Sequence, residues 1–230
     1  MELILIRHAQ PAWVKDDRGA LDPELTERGH VQARHLAEAA KSWRRKPDLL
    51  WCSTATRSQQ TAAPLGEALG LEVQTLQEVE EIRLPPDWEN RELNVIHEAF
   101  VRAKKRTEAE WWDGIPGGET FRHFQERIPK HLEAALATVG VTPAERTGEA
   151  PLWNVEDSDR TVALVAHGGT NAVATSHMLG LPQVPWAWER FVMAHAAVTR
   201  LRASPIMGAF LFGLREHSDA SHVPDGLRSR

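Results

Sequence analysis

Leu3 to Ile6 is an unbroken apolar run rich in β-branched residues, and Thr161 to Ala166 is a second. Runs this short, with no polar alternation, predict strands covered on both faces. Thr26-Glu27-Arg28-Gly29 opens a helix with Thr26 at the N-cap. Leu36, Ala39, Ala40 and Trp43 follow at helical spacing until Pro47. Asp48 to Cys52 predicts another short strand. Ala55 to Leu69 carries Ala62, Leu65 and Leu69 as a helical stripe closed by Gly70. Glu72 to Leu76 alternates like a strand. Later, Thr170 to Leu179 predicts a helix stopped by Gly180 and Pro182, and Ala196–Leu201 and Gly208–Leu214 predict the last strands.

The middle of the chain is less regular. Residues 83–118 hold Pro85-Pro86, Gly114, Pro116 and Gly117-Gly118 around one expected helix from about Val95 to Trp111. Its apolar positions are too few for a separate core, so it reads as an insertion or lid. Glu119 to Val139 predicts a helix, Thr142 to Asp159 a long polar surface loop, and the residues from Glu216 a loose polar tail. Strands alternating with helices predict an α/β protein, a three-layer α/β/α sandwich on a mostly parallel sheet. The expected organisation is one domain over residues 1–215, a lid at about 83–118, and a tail at 216–230.

Charge and composition narrow the function. The chain has 230 residues and a formal charge of −5, and no basic run exceeds three residues, as in Lys104-Lys105-Arg106. Nucleic-acid binding by bulk electrostatics is therefore not expected. The single Cys52 excludes a disulfide within the chain and suits a reducing compartment. The apolar start is too short for a signal-peptide core, and no stretch approaches the roughly 18 apolar residues of a membrane span. A soluble, cytoplasmic protein is expected. Nothing in the sequence explains nine Trp beside no Tyr.

Both strongly apolar strands run into histidine: Leu3–Ile6 into Arg7-His8, and Val162–Ala166 into His167-Gly168-Gly169. Ligands of open α/β sheets bind at the carboxyl ends of strands, so neighbouring strands would bring the two histidines into one crevice. A glycine pair opening a helix leaves backbone N–H groups aimed outward, as an anion requires. Arg57 falls in the first turn of a helix, against the dipole, and calls for an anionic partner; a surface salt bridge is the equal alternative. No His-Glu-x-x-His, Cys-x-x-Cys or P-loop pattern occurs. His123 and His131 read as surface or partner contacts, and His217 and His222 as incidental tail residues. Trp88, Trp111 and Trp112 suit either a pocket wall or packing. Arg83, Arg91, Arg102 and Lys104 to Arg106 read mainly as a solvated face.

Arg7-His8-Ala9-Gln10, Leu25-Thr26-Glu27-Arg28-Gly29 with Gln32-Ala33, and Ser53 through Arg57 into Gln59-Gln60-Thr61-Ala62 form an ordered set of motifs. Glu81-Ile82, Gly118-Glu119-Thr120 with Phe124 and Arg127, and Val165-Ala166-His167-Gly168-Gly169 complete it. From residue 3 to about 200 the chain resembles the histidine phosphatase superfamily, in its phosphoglycerate-mutase-like branch. The resemblance implies His8 as nucleophile, and Arg7, Arg57 and His167 as catalytic phosphate ligands beside Gly168. Glu81 would be acid and then base, with Glu78 the second choice. It implies no metal and no cofactor, a small phosphorylated substrate, and a homodimer on family grounds alone.

Departures are Pro11 and Val14, where the family often has Thr and Asn, and His195, where Asn is frequent. Gln10 favours the phosphatases over the mutases, which tend to carry Glu there. The implied function is a metal-independent phosphatase working through phosphohistidine. A phosphoglycerate-mutase-type transferase and a non-catalytic phospho-ligand binder are the alternatives. Sugar phosphate, phosphoglycerate, nucleotide and phosphopeptide substrates stay open, with specificity expected from residues 83–118.

Overall fold

In β1 (Glu2–Arg7), Leu3 and Leu5 face one side of the sheet while Ile4 and Ile6 face the other, and all are fully buried. The strand is thus covered twice, as its unbroken apolar run predicts. The protein is described from a computed structural model covering residues 1–15, 17–144 and 151–230. After β1 come a small hairpin, β2 (Val14–Lys15) and β3 (Arg18–Gly19), then α1 (Glu27–Ala40), β4 (Leu49–Ser53), α2 (Thr56–Leu69) and β5 (Val73–Leu76). Next are α3 (Leu93–Ala103), α4 (Glu108–Trp112), α5 (Phe121–Ala137), β6 (Val141–Pro143) and β7 (Trp153–Val155). The chain ends with β8 (Thr161–Ala166), α6 (Gly168–Met178), α7 (Ala187–Arg190), β9 (Val198–Ile206) and β10 (Ala209–Asp219).

The main sheet has eight strands in the order β5-β4-β8-β1-β9-β10-β7-β6. Leu36 and Ala40 of α1 and Ala62 and Leu65 of α2 pack on the Ile4/Ile6 face. Phe124, Ile128 and Leu132 of α5 and Val173 of α6 pack on the Leu3/Leu5 face. This is the expected α/β/α sandwich. Thr26 caps α1 by accepting the Gly29 N–H at 2.9 Å. Gly29 itself is required because a Cβ there would stand 2.2 Å from the Gln10 carbonyl oxygen.

The sheet is only half parallel. β5, β4, β8 and β1 pair parallel, whereas β9, β10, β7 and β6 join antiparallel. Two close-following strands linked by a tight turn, as β9 and β10 are at Met207-Gly208, can only pair antiparallel. Part of the segment read as a loop at 142–159 forms the β6–β7 hairpin at the sheet edge, anchored by buried Val141 and Trp153. Residues 145–150 of that expected loop lie outside the described residues.

The single helix expected at 95–111 is two. α3 ends at Ala103, and Thr107 with Glu110 builds a capping box that starts α4 afresh. The tail is ordered rather than loose. β10 continues to Asp219, Val223 is fully buried, and Gln32 Nε2 donates to the Leu227 carbonyl and to Ser229 Oγ. Its anchors are hydrogen bonds from a distant side chain, which leave no trace in apolar periodicity.

Candidate active site

β1 and β8 are parallel neighbours with Arg7 opposite Ala166, so His8 and His167 leave the sheet side by side. Their ring centroids are 5.1 Å apart. β4 lies on the other flank of β8 and delivers Ser53 through Arg57 into the start of α2. The segment entering β9 comes from the opposite direction and sets His195 with its ring centroid 5.8 Å from that of His8. The structure thus gathers Arg7, His8, Arg57 and His167 at one crevice, all but Arg7 fully buried, and adds His195.

His8 Nδ1 lies 2.8 Å from the Ala9 carbonyl oxygen. A carbonyl only accepts, so Nδ1 carries the proton and Nε2 keeps its lone pair. Arg57 Nε–H donates toward that Nε2 at 3.3 Å. Burial, then the Arg57 charge, pushes the His8 pKa well below the ordinary histidine value, so the ring is neutral at pH 7. Burial also comes first in lowering His167, followed by Arg57.

Hydrogen-bond chains fix the other rings. The Ala55 N–H donates to Ser53 Oγ at 3.3 Å, and Ser53 Oγ lies 2.9 Å from His167 Nε2. The other ring nitrogen of His167, Nδ1, is buried with no partner. His195 repeats the arrangement. Gln32 Nε2 donates to Ser229 Oγ, which lies 2.9 Å from His195 Nδ1, and the buried Nε2 of His195 has no partner. Burial and Arg7 lower the His195 pKa to about 3. Arg7 donates through Nη1 to the Met193 carbonyl, while its buried Nε has no partner. Unpartnered polar nitrogens and two arginines beside one buried, unprotonated imidazole nitrogen make a socket for an oxyanion.

Of the three neighbouring glutamates, Glu81 stands at this socket. Its Oε2 accepts the Gly169 N–H at 2.7 Å and its Oε1 the Ile82 N–H at 3.1 Å. The outward amide at the start of α6 is therefore taken by the Glu81 side chain itself. Gly168 lies beside Arg7, where a Cβ would be 3.5 Å from Arg7 Nε. Glu78 pairs with Arg83 at 2.8 Å, and Glu80 accepts from Thr54 Oγ1. Arg127 clamps the segment: Nη1 donates to the Glu78 carbonyl at 2.7 Å, and Nη2 forms a buried 2.7 Å pair with Glu119. That gives the Gly118-Glu119-Thr120 and Arg127 motifs a physical purpose.

Sequence reasoning passed over several neighbours of the site. Asp22, between β3 and α1, accepts from the Thr56 N–H and hydroxyl at 2.9 and 2.7 Å and lies 3.3 Å from Arg57 Nη1. It is the anionic partner that Arg57 called for, and it caps α2, whose own N-cap Ala55 offers no side-chain oxygen. Trp13 lies 4.7 Å from the Arg57 guanidinium carbon, ring centroid to Cζ. Val14 is in the exposed hairpin, and Pro11 bridges to Leu25.

Other singled-out residues sort by place. Trp111 lines the cleft over the site, whereas Trp88 packs on Phe100 and Trp112 under Arg122. Arg91 and Arg102 pair with Asp87 and Glu98 on their own segments. His123 contacts Glu119 at 2.7 Å. His131 bonds the Arg127 carbonyl, His217 that of Val192 and His222 that of Ala196, all apart from the socket. Among the described residues no group of three or more His, Cys, Asp or Glu is placed to hold a metal ion, and no helix is long and apolar enough to cross a membrane.

Known proteins resemble this chain over most of its length. The glucosyl-3-phosphoglycerate phosphatase of Mycobacterium tuberculosis (strain ATCC 25618 / H37Rv) is 32% identical over 189 residues, 80% of this chain and 78% of that protein. A probable phosphoglycerate mutase of Enterobacter sp. (strain 638) is 27% identical over 87% of this chain and 84% of its own. The structure of a mycobacterial glucosyl-3-phosphoglycerate phosphatase with inorganic phosphate superposes with a TM-score of 0.70 at 28% identity, covering 97% of this chain and 99% of that one. The family model for the histidine phosphatase superfamily (branch 1) matches residues 3–209, and the chain belongs to that superfamily.

Proposed function

We infer that this chain is a phosphatase that hydrolyses phosphomonoesters through a phosphohistidine on His8. The observation that carries the reading is the His8 ring itself. It is buried and neutral, with its Nδ1 proton held on Ala9 and its Nε2 lone pair facing Arg57. In the first step Nε2 attacks phosphorus and the ester P–O bond breaks. Glu81 gives a proton to the departing alcohol oxygen. In the second, Glu81 takes a proton from water, whose oxygen attacks phosphorus while the N–P bond breaks and returns its electron pair to Nε2. Arg7, Arg57, His167 and His195 surround the phosphoryl oxygens, where such transfer needs charge stabilisation most.

A mutase must also hold a second acidic group of its substrate. Of the cations lining the cleft, Arg83 is engaged with Glu78 and Arg106 with the Gly114 carbonyl, while Lys104 is exposed. This favours hydrolysis over transfer back to a phosphoglycerate. Phosphate release from an aryl phosphate in excess EDTA, comparing wild type with His8→Ala, tests the reading. Base-stable, acid-labile label on wild-type protein alone is expected. Full turnover by His8→Ala would overturn it.

A further inference from the structure

Resting on the phosphatase reading, we propose that the cleft above His8 selects phosphomonoesters whose alcohol is a bulky apolar group, aryl or aryl-alkyl, over polyol and carboxylate esters. The cleft, about 640 Å³, has Arg57, Glu81 and Gly169 at its phosphate end. Away from that end its walls are Ile82, Leu84, Phe100, Trp111, Ile115 and Phe121. These side chains come from the segment after Glu81, from α3 and α4, from the α4–α5 connection and from the start of α5, so the irregular middle of the chain builds the leaving-group site. Trp111 and Phe121 pack with centroids 5.8 Å apart and their planes tilted by 39°, which gives the wall a continuous aromatic surface.

The polar groups sharing this cleft are mostly committed elsewhere. Asp22 is bound to Thr56 and Arg57, Glu80 to Thr54, Glu119 to Arg127, Arg83 to Glu78 and Arg106 to the Gly114 carbonyl. Lys104 and Glu189 are exposed and of opposite sign. A sugar or glycerate group entering here would give up hydrogen bonds to water and meet carbon in exchange. An apolar group meets the reverse balance. Phe100 is 42% exposed and Trp13, also lining the cleft, 38%, so apolar surface stands in water until such a group covers it.

The test compares 2-(1-naphthyl)ethyl phosphate with glycerol 3-phosphate. Both leaving groups are alkyl alcohols, so intrinsic reactivity is matched and the ratio of kcat/KM reads the cleft. Covering about 110 Å² of apolar surface predicts a ratio of about 100. Phe100→Ala, a change on an exposed helix position, should lower that ratio about tenfold. Turnover of both esters with a ratio near or below one would overturn the cleft proposal and leave the phosphatase reading intact. Binding of the corresponding non-hydrolysable phosphonates, followed by calorimetry, separates the two. A roughly 100-fold preference for the naphthyl phosphonate without any ester turnover would support the cleft assignment and overturn the phosphatase reading. No preference in binding overturns the cleft assignment whatever the turnover.

Discussion

Replacing Gly169 with alanine is the sharpest probe of the proton-transfer group. A Cβ on Gly169 would stand 2.3 Å from Glu81 Oε1 and 3.0 Å from its Cδ. The carboxyl end must withdraw by about 1 Å to reach an ordinary contact, and a displacement of that size costs roughly 100-fold in rate. It also forfeits the 2.7 Å bond from the Gly169 N–H, worth about 0.5–1.5 kcal/mol. Folding should not suffer, because the obstruction is the end of a flexible side chain. Alanine in the first turn of α6 also gains roughly 0.5–1 kcal/mol over glycine.

The expected result is kcat down about 100-fold with Tm within a few degrees of wild type, measured by phosphate release and thermal melting. Gly168→Ala is the control. Its Cβ would meet Arg7 Nε at 3.5 Å, an ordinary van der Waals distance, and it should stay within about threefold of wild type. If Gly169→Ala turns over within threefold of wild type, Glu81 is not the acid–base group, and Glu78 becomes the residue to test.

Three further outcomes are expected. His8, His167 and His195 all have lowered pKa values in the folded protein, so below about pH 6.5 the unfolded chain binds more protons. Stability should be complete above that pH and fall by about 1.4 kcal/mol per unit for each histidine as pH drops toward the folded values; equal urea midpoints at pH 7 and pH 5 would contradict this. Arg127→Ala leaves Glu119 buried without its cation, which costs about 3–5 kcal/mol and should lower the denaturation midpoint while also reducing kcat through Glu81. Deleting residues 227–230 removes the Ser229 contact to His195 and both tail bonds to Gln32. It should cost roughly 1–3 kcal/mol of stability and about tenfold in kcat, and a truncated enzyme equal to the full chain in melting and rate would show the tail to be idle.

Glu81 shows where sequence reading reaches its limit. Glu78, Glu80 and Glu81 are alike in type and nearly adjacent, so the Glu-Ile dipeptide is a slender guide among them. The fold separates them by partner: Glu78 goes to Arg83, Glu80 to Thr54, and Glu81 to the amide opening α6, 88 residues away in sequence. His195 is a similar case. It stands out in the sequence as a departure, but its place beside His8 depends on β9 pairing antiparallel with β1 and on Ser229 reaching it from the chain end.

By itself the sequence determined the buried strands, the helices α1, α2, α5 and α6, and the residue types at the strand ends, because burial on a strand or helix imposes a short, local period that a linear chain displays directly. The tertiary structure decided which strands run antiparallel, which glutamate meets the socket, how tail residues orient His195, and how α3 and α4 wall the cleft. Each of these depends on hydrogen bonds or packing between residues far apart in the chain. No local period records such pairings, so they become visible only once the backbone has closed on itself.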